Sequence, residues 1–181
     1  KTSSYRASAG AFALLLQVAM AAAASSPASL HVASSSFSDG GNMPLKLTCD
    51  GSNLSPDIQL PPPPAGTRSF AIVVNDPDAP TAFTHWLAYN IPADARDLPE
   101  GTSTRSHRLI RGAEGINSFG TTGYSGPCPP VGSTHHYVFR VYALDVNPAL
   151  PPGVATNQVE TAIEGHVLAE GEITGLYTRG G

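Results

Sequence analysis

Residues 69–92, SFAIVVNDPDAPTAFTHWLAYNIP, decide the fold of this chain. Two apolar runs, at residues 69–74 and 86–91, flank a short polar segment that contains two prolines. A continuous apolar run of this length, bounded by turn residues, is typical of a strand that is buried on both faces. Because proline rings limit backbone freedom, we expect two buried strands with a rigid loop between them.

The rest of the chain continues the same pattern. Apolar runs predict further strands at residues 30–37, 45–49, 137–144 and 173–177. One amphipathic helix is predicted after Asn157, through Val159, Ile163 and His166, with Gly171 as its end. Abundant glycine (18) and proline (17), with only 13% charged residues, favour strands and ordered loops over a helical bundle. The sequence therefore predicts a mainly β fold, an antiparallel β-sandwich with one or two peripheral helices.

The N-terminal segment differs from the rest of the chain. Lys1 and Arg6 precede an apolar stretch that is rich in alanine, and small residues follow at 25–28. This order is typical of a secretory signal peptide. A single membrane anchor is the alternative, although the apolar stretch is near the lower length limit for spanning. We expect residues 1–26 to be cleaved and residues 27–181 to be one exported domain, periplasmic or secreted.

The formal charge limits the partners of this domain. The chain has 10 basic and 14 acidic residues, a balance of −4, and removal of Lys1 and Arg6 changes it to −6. A surface of this sign repels nucleic acid and anionic membranes at a distance. Any anion site must therefore be local and built from a few donors.

Cys49 and Cys128 are the two cysteines of the chain. In an exported protein two cysteines tend to pair, and a disulfide that closes a long loop stabilises by a few kcal/mol. Two separate buried thiols remain the alternative, because the sequence does not give the distance between the two Cα atoms.

Two histidines follow proline-containing turns on predicted strands. His85 comes after the segment of Asp76, Asp78 and Pro80, and His135 comes after Pro129 and Pro130. Side chains alternate along a strand, so His135 and Tyr137 share one face and His136 points to the other. We therefore expect Asp76, His85, His135 and Tyr137 to meet beside rigid loops, with Asp78, Pro80 and Trp86 in supporting positions.

These residues favour binding over catalysis. Asp76, His85 and His135 supply three potential zinc ligands, but the chain has neither HExxH nor paired-cysteine spacing, so metal is the minority interpretation. The segment around Ser125 lacks the spacing of a nucleophile elbow, and no phosphate-transfer signature occurs. Imidazole and phenol donors with backbone N–H groups in glycine-rich turns suit an oxyanion. We expect no cofactor.

Several motifs occur in order along the chain: Cys-Asp-Gly at 49–51, Leu-Ser-Pro at 54–56, Asp-Pro-Asp-Ala-Pro at 76–80, His-Trp at 85–86, Tyr-Asn-Ile-Pro at 89–92, Gly-Tyr at 123–124, Gly-Pro-Cys-Pro-Pro at 126–130, His135, and Tyr-Val-Phe at 137–139. Together they resemble the phosphatidylethanolamine-binding protein family, also called Raf kinase inhibitor-like, in its bacterial and archaeal branch. The resemblance covers essentially everything after the leader.

The resemblance implies a β-sandwich with a small preformed pocket for phosphate or phosphoryl head groups. The residues that match the family's pocket are Asp76, His85, Gly126 on the rim, Pro129, Pro130, His135 and Tyr137. Two positions depart from the family pattern. His136 stands where arginine is usual, which is expected to weaken an ion pair near the pocket. Ser118 stands where this branch has aspartate, which is expected to weaken a loop contact.

Three functions are compatible with these observations. The leading hypothesis is an exported, non-enzymatic binding protein for phosphate or a phospholipid head group, in which Asp76 orients one imidazole. The second, which rests on the resemblance alone, is an inhibitor or regulator of a protease or host signalling protein. The third is a hydrolase or metal enzyme that uses Asp76 and His85 as acid and base.

Overall fold

A computed structural model describes residues 27–103, 109 and 111–180. The predicted signal peptide, residues 1–26, lies outside the described residues. The elements are strands and one helix: β1 Ala28–Ser29, β2 Gly41–Asn42, β3 Ile58–Gln59, β4 Ser69–Asp76, β5 Phe83–Pro92, β6 Asp97–Leu98, β7 Ala113–Glu114, β8 Thr134–Leu144, α1 Thr156–Ile163 and β9 Val167–Thr178. No helix within these ranges has both the length and the apolar character to cross a membrane.

The strands form one large sheet and one small one. The large sheet has the order β1-β9-β8-β4-β5-β7, with β2 also paired to β9, and β3 pairs with β6. Its central strands β9, β8, β4 and β5 are antiparallel. The short strands β1 and β2 run parallel to β9, so the sheet is mixed rather than purely antiparallel. The mainly β class is confirmed.

The two faces of the central sheet explain the continuous apolar run in β4. Phe70, Ile72 and Val74 pack into one hydrophobic cluster, while Ala71 and Val73 pack into a second cluster on the opposite face. Val159 and Ile163 of α1 belong to the second cluster. Because both faces of β4 and β5 are covered, both sets of alternate residues in these two strands are buried, whereas β8 and β9 keep an alternating pattern of burial.

The strands that were predicted before residue 50 are wrong. Residues 45–47 form a 3-10 turn. The backbone N–H and the hydroxyl of Thr48 both donate to the carbonyl of Leu45, at 3.0 and 2.9 Å. These local hydrogen bonds satisfy groups that a strand would present to a neighbour. Within residues 30–37, a bridge joins Ala33 to Gln59 and the backbone N–H of Leu30 donates to the carbonyl of Glu170 at 2.7 Å, but no strand forms.

The predicted helix exists but is shorter. It spans Thr156–Ile163, so Asn157 lies inside it, and the backbone N–H of Ala155 donates to Oε1 of Gln158 at 3.0 Å. His166 follows the helix, and Gly171 lies within β9 rather than ending the helix. A Cβ at Gly171 would collide with the carbonyl of Leu30, so close strand packing requires glycine there.

Candidate functional site

The site is a cavity at one end of β4, β5 and β8. Its volume is about 240 Å³. Its walls come from these strands, the loop after β4, the loop that carries Phe119, and the proline-rich loop before β8. The lining residues are Asp76, Ala79, Pro80, Phe83, His85, Phe119, Cys128, Pro129, Pro130 and His135.

Asp76 is the last residue of β4 and is buried. Its Oδ1 accepts hydrogen bonds from the backbone N–H groups of Asp78 and Ala79, at 2.9 and 3.1 Å. Its Oδ2 lies 2.7 Å from Nδ1 of His135. Because the carboxylate accepts, Nδ1 of His135 carries the proton, and Nε2 is the ring nitrogen that remains for a ligand. Asp76 therefore fixes both the loop and one imidazole.

A β-bulge positions the other imidazole. Val74 pairs with Trp86 and the next residue, Asn75, pairs with Thr84, so His85 is an extra residue on β5. Bulges re-aim a side chain and are frequent beside functional sites. The ring of His85 packs edge-on against the ring of Tyr137, with centroids 5.0 Å apart and an interplanar angle of 89°.

His85 is held in one tautomer. Its Nδ1 lies 2.6 Å from the carbonyl oxygen of Ser125, and since a carbonyl can only accept, Nδ1 is the donor. Burial lowers the pKa of His85 below its ordinary value, against smaller opposing effects of this hydrogen bond and of Asp76. The ring is therefore neutral near pH 7 in the unliganded protein, with Nε2 available to a ligand.

Tyr137 lies behind the cavity wall. It is 1% exposed, and within the described part of the chain its hydroxyl has no hydrogen-bond partner. Burial, followed by the charge of Asp76, raises its pKa far above the ordinary value, against an opposing effect of the Cys128 backbone. The phenol is therefore a neutral donor that has no acceptor among the described residues.

The proline-rich loop before β8, which forms one wall of the cavity, is covalently linked to the N-terminal part of the chain. Cys49 and Cys128 form a disulfide with Cα atoms 5.4 Å apart. The backbone N–H of Cys49 donates to the carbonyl of Pro127 at 3.0 Å. The disulfide thus places Pro129 and Pro130, which follow Cys128 directly, against the cavity.

Gly126 belongs to the same loop but does not line the cavity. Its N–H donates to Oδ1 of Asn53 at 2.7 Å, and it lines an adjoining hollow. A Cβ at this position would collide with the carbonyl of Leu47, so the packing requires glycine.

The two departures from the family pattern retain contacts of their own. His136 donates both its backbone N–H and Nδ1 to Oδ2 of Asp78, each at 2.7 Å. These hydrogen bonds lower the pKa of Asp78. The side chain of Ser118 accepts from the backbone N–H of Thr84 at 2.9 Å. His136 contacts Asp78 in the loop after β4 and does not line the cavity, as the alternation of side chains along β8 predicts.

Other sequence-predicted residues have different positions. Pro80 lines the cavity as a supporting residue. Trp86 is fully buried and donates from Nε1 to Oε1 of Glu114 at 2.8 Å, so it supports the core. Phe83 and Phe119 were not predicted as site residues, but their rings flank that of His85 at centroid distances of 5.1 and 5.4 Å. Phenylalanine side chains carry no chemical signal in a sequence, and only their approach to His85 distinguishes them.

The hydrogen-bond partner of the Asp76 carboxylate is His135 rather than His85. Among residues 27–103, 109 and 111–180, no group of three or more His, Cys, Asp or Glu side chains is placed to hold a metal.

Comparisons with known proteins agree with this architecture. The model of the phosphatidylethanolamine-binding protein family matches residues 33–178, and the chain belongs to this family. A UPF0098 protein of Methanothermobacter thermautotrophicus is 42% identical over 152 residues, which cover 83% of this chain and 100% of the relative. A UPF0098 protein of Aquifex aeolicus is 44% identical over 153 residues, covering 83% and 89%.

A solved structure supports the fold directly. The crystal structure of E. coli YbcL, described as a new member of the mammalian PEBP family, is similar with a TM-score of 0.78 and 33% sequence identity. The similarity covers 83% of this chain and 99% of YbcL.

Proposed function

We propose that this protein is an exported, non-enzymatic binding protein whose cavity holds phosphate or the phosphoryl group of a head group. The observation that carries the proposal is the matched pair of imidazoles. Each of His85 and His135 has Nδ1 engaged by a protein acceptor, which leaves Nε2 of each ring for the ligand. Two fixed imidazoles beside a buried tyrosine hydroxyl suit an oxyanion, because protonation turns each ring into a charge-assisted donor.

The affinity should depend on pH. Since burial lowers the pKa of His85, its protonation in the free protein costs energy that a bound phosphoryl group must supply. We expect tighter phosphate binding at pH 5.5 than at pH 7.5, and a rise in the pKa of His85 when phosphate binds. Of the described residues that line the cavity, His85 and His135 are the two whose side chains can become positively charged.

Titration with inorganic phosphate and phosphoethanolamine, followed by NMR at both pH values, tests the proposal. The double variant His85→Ala, His135→Ala should lose binding, whereas His31→Ala, which removes an exposed histidine, should not. Unchanged affinity in the double variant would refute a role for the imidazole pair.

Export is proposed on two grounds. The leader has the composition of a signal peptide, and the disulfide is of the kind that persists in oxidising compartments. N-terminal sequencing of the mature protein should give a start near residues 25–29, and a mature protein that retains residues 1–20 contradicts cleavage.

A further inference from the structure

One further hollow adjoins the cavity, and a second hollow adjoins the first. The first, about 210 Å³, shares Phe119 and Cys128 with the cavity. The second, about 400 Å³, shares Asn53, Thr121 and Ser125 with the first. The three hollows together are named the groove, and one end of the groove holds the two imidazoles.

The chemistry changes along the groove. The middle is bordered by the disulfide and by the ring of Phe119, which is 47% exposed. The far end is lined by side chains with hydroxyl or amide groups, Asn53, Thr121, Thr122, Tyr124 and Ser125. Of the described residues that line the middle and the far end, none is charged.

The far end has unused hydrogen-bonding capacity. Oδ1 of Asn53 accepts from Gly126, while its Nδ2 donates no hydrogen bond within the described part of the chain. The hydroxyl of Thr122 likewise has no partner among the described residues. A ligand that carries hydroxyl groups would satisfy both, whereas an alkyl group would leave them unpaired, and the described residues that line this end offer no counter-ion to an ionic group.

We propose that the groove is a single ligand site for a phosphorylated sugar or polyol. This inference rests on the proposed function, because the phosphoryl group occupies the imidazole cavity. The apolar face of the substituent lies against Phe119 and the disulfide, and its hydroxyl groups bond to Asn53 and Thr122. A phosphorylated polyol would account for the uncharged polar side chains among the described residues at the far end of the groove.

Three ligands separate the contributions of the phosphoryl group, the hydroxyl groups and the apolar part to the affinity: inorganic phosphate, glucose 6-phosphate and n-hexyl phosphate. Glucose 6-phosphate should bind about tenfold more tightly than phosphate, the effect of one or two good hydrogen bonds. It should also bind more tightly than n-hexyl phosphate. Phosphate binding with no gain for glucose 6-phosphate, or tighter binding of n-hexyl phosphate, overturns this inference alone. No binding of any of the three overturns the proposed function as well.

A matched pair of variants locates the substituent. Thr122→Trp fills the far end without removing a hydrogen bond within the described residues, and Thr161→Trp places the same side chain on the exposed face of α1. Thr122→Trp should bind phosphate normally and lose the gain for glucose 6-phosphate, while Thr161→Trp keeps both. A gain that persists in Thr122→Trp overturns the assignment.

A measurement on the unaltered protein covers the case in which Thr122→Trp does not fold. The side-chain amide resonance of Asn53 should shift with glucose 6-phosphate and not with phosphate, and no shift overturns the placement. Because phosphatidylinositol carries the same chemistry, its vesicles are added as a competitor of glucose 6-phosphate. Displacement supports a lipid source of the polyol phosphate, and retention supports a soluble one.

Discussion

Oδ2 of Asp76 and Nδ1 of His135 lie 2.7 Å apart, between two neighbouring strands of the central sheet. The partner of this carboxylate is therefore 59 residues away in the chain, although His85 is much nearer in sequence. The contact joins the loop after β4 to β8 and fixes the ring that faces the cavity.

The first prediction concerns the carboxylate. Asp76→Asn should weaken phosphate binding about tenfold. The amide has one acceptor oxygen and no negative charge, so it cannot accept hydrogen bonds from both the loop N–H groups and Nδ1 of His135. Isothermal titration calorimetry at pH 6 measures the change. Asp145→Asn is the control, since Asp145 forms an exposed pair with His166 at 2.8 Å. Equal losses in the two variants would contradict a specific role for Asp76.

The second prediction concerns Tyr137. Its buried hydroxyl lacks a partner among the described residues, so Tyr137→Phe should raise the free energy of unfolding by about 1 kcal/mol. The same change should alter phosphate binding little, because Tyr137 lies behind the cavity wall and does not line it. Urea unfolding and phosphate titration check the two effects. Tyr177→Phe removes a hydroxyl that donates to Asp50 at 2.7 Å and should instead destabilise the protein.

The third prediction concerns the pH dependence of stability. Burial lowers the pKa of His85 in the folded state, so the unfolded chain binds more protons once the pH falls below the ordinary histidine value. The free energy of unfolding should therefore decrease as the pH falls from about 7 towards 5.

The variant His85→Asn tests whether His85 causes this pH dependence of stability, because an amide retains a donor for the carbonyl of Ser125 without titrating. Thermal unfolding at a series of pH values should show a smaller decrease in His85→Asn than in the unaltered protein. An identical slope in both proteins means that another group is responsible. Saturating phosphate should reduce the slope in the unaltered protein, since it favours the protonated ring.

The fourth prediction concerns the disulfide, which links residues 79 positions apart. The double variant Cys49→Ala, Cys128→Ala should lower the free energy of unfolding by about 4 kcal/mol, because the unfolded chain regains the entropy of an open loop. Its affinity for phosphate should also fall, since Pro129 and Pro130 lose their attachment. Guanidinium unfolding and calorimetry measure both. A variant with full affinity would show that the cavity wall does not depend on the disulfide.

The family motifs and the long apolar runs made much of the fold predictable. Continuous apolar runs identified β4 and β5, because strands covered on both faces need apolar residues at nearly every position. Apolar residues also indicated β8 and part of β9, where burial alternates along the strand. Alternation along β8 separated His135 and Tyr137 from His136. The short strands β1 and β2 were not predictable, because each pairs over two residues with a distant strand.

The sequence by itself determined which side chains are candidates for the site and which strands carry them. Only the tertiary structure decided their partners. The bulge at His85 depends on the register between β4 and β5, and strand alternation alone does not reveal it. The hydrogen bond of Asp76 to His135 and the disulfide of Cys49 with Cys128 depend on how distant segments pack. A local pattern fixes the direction of a side chain within its own strand, whereas the partner of that side chain is set by contacts between strands far apart in the chain.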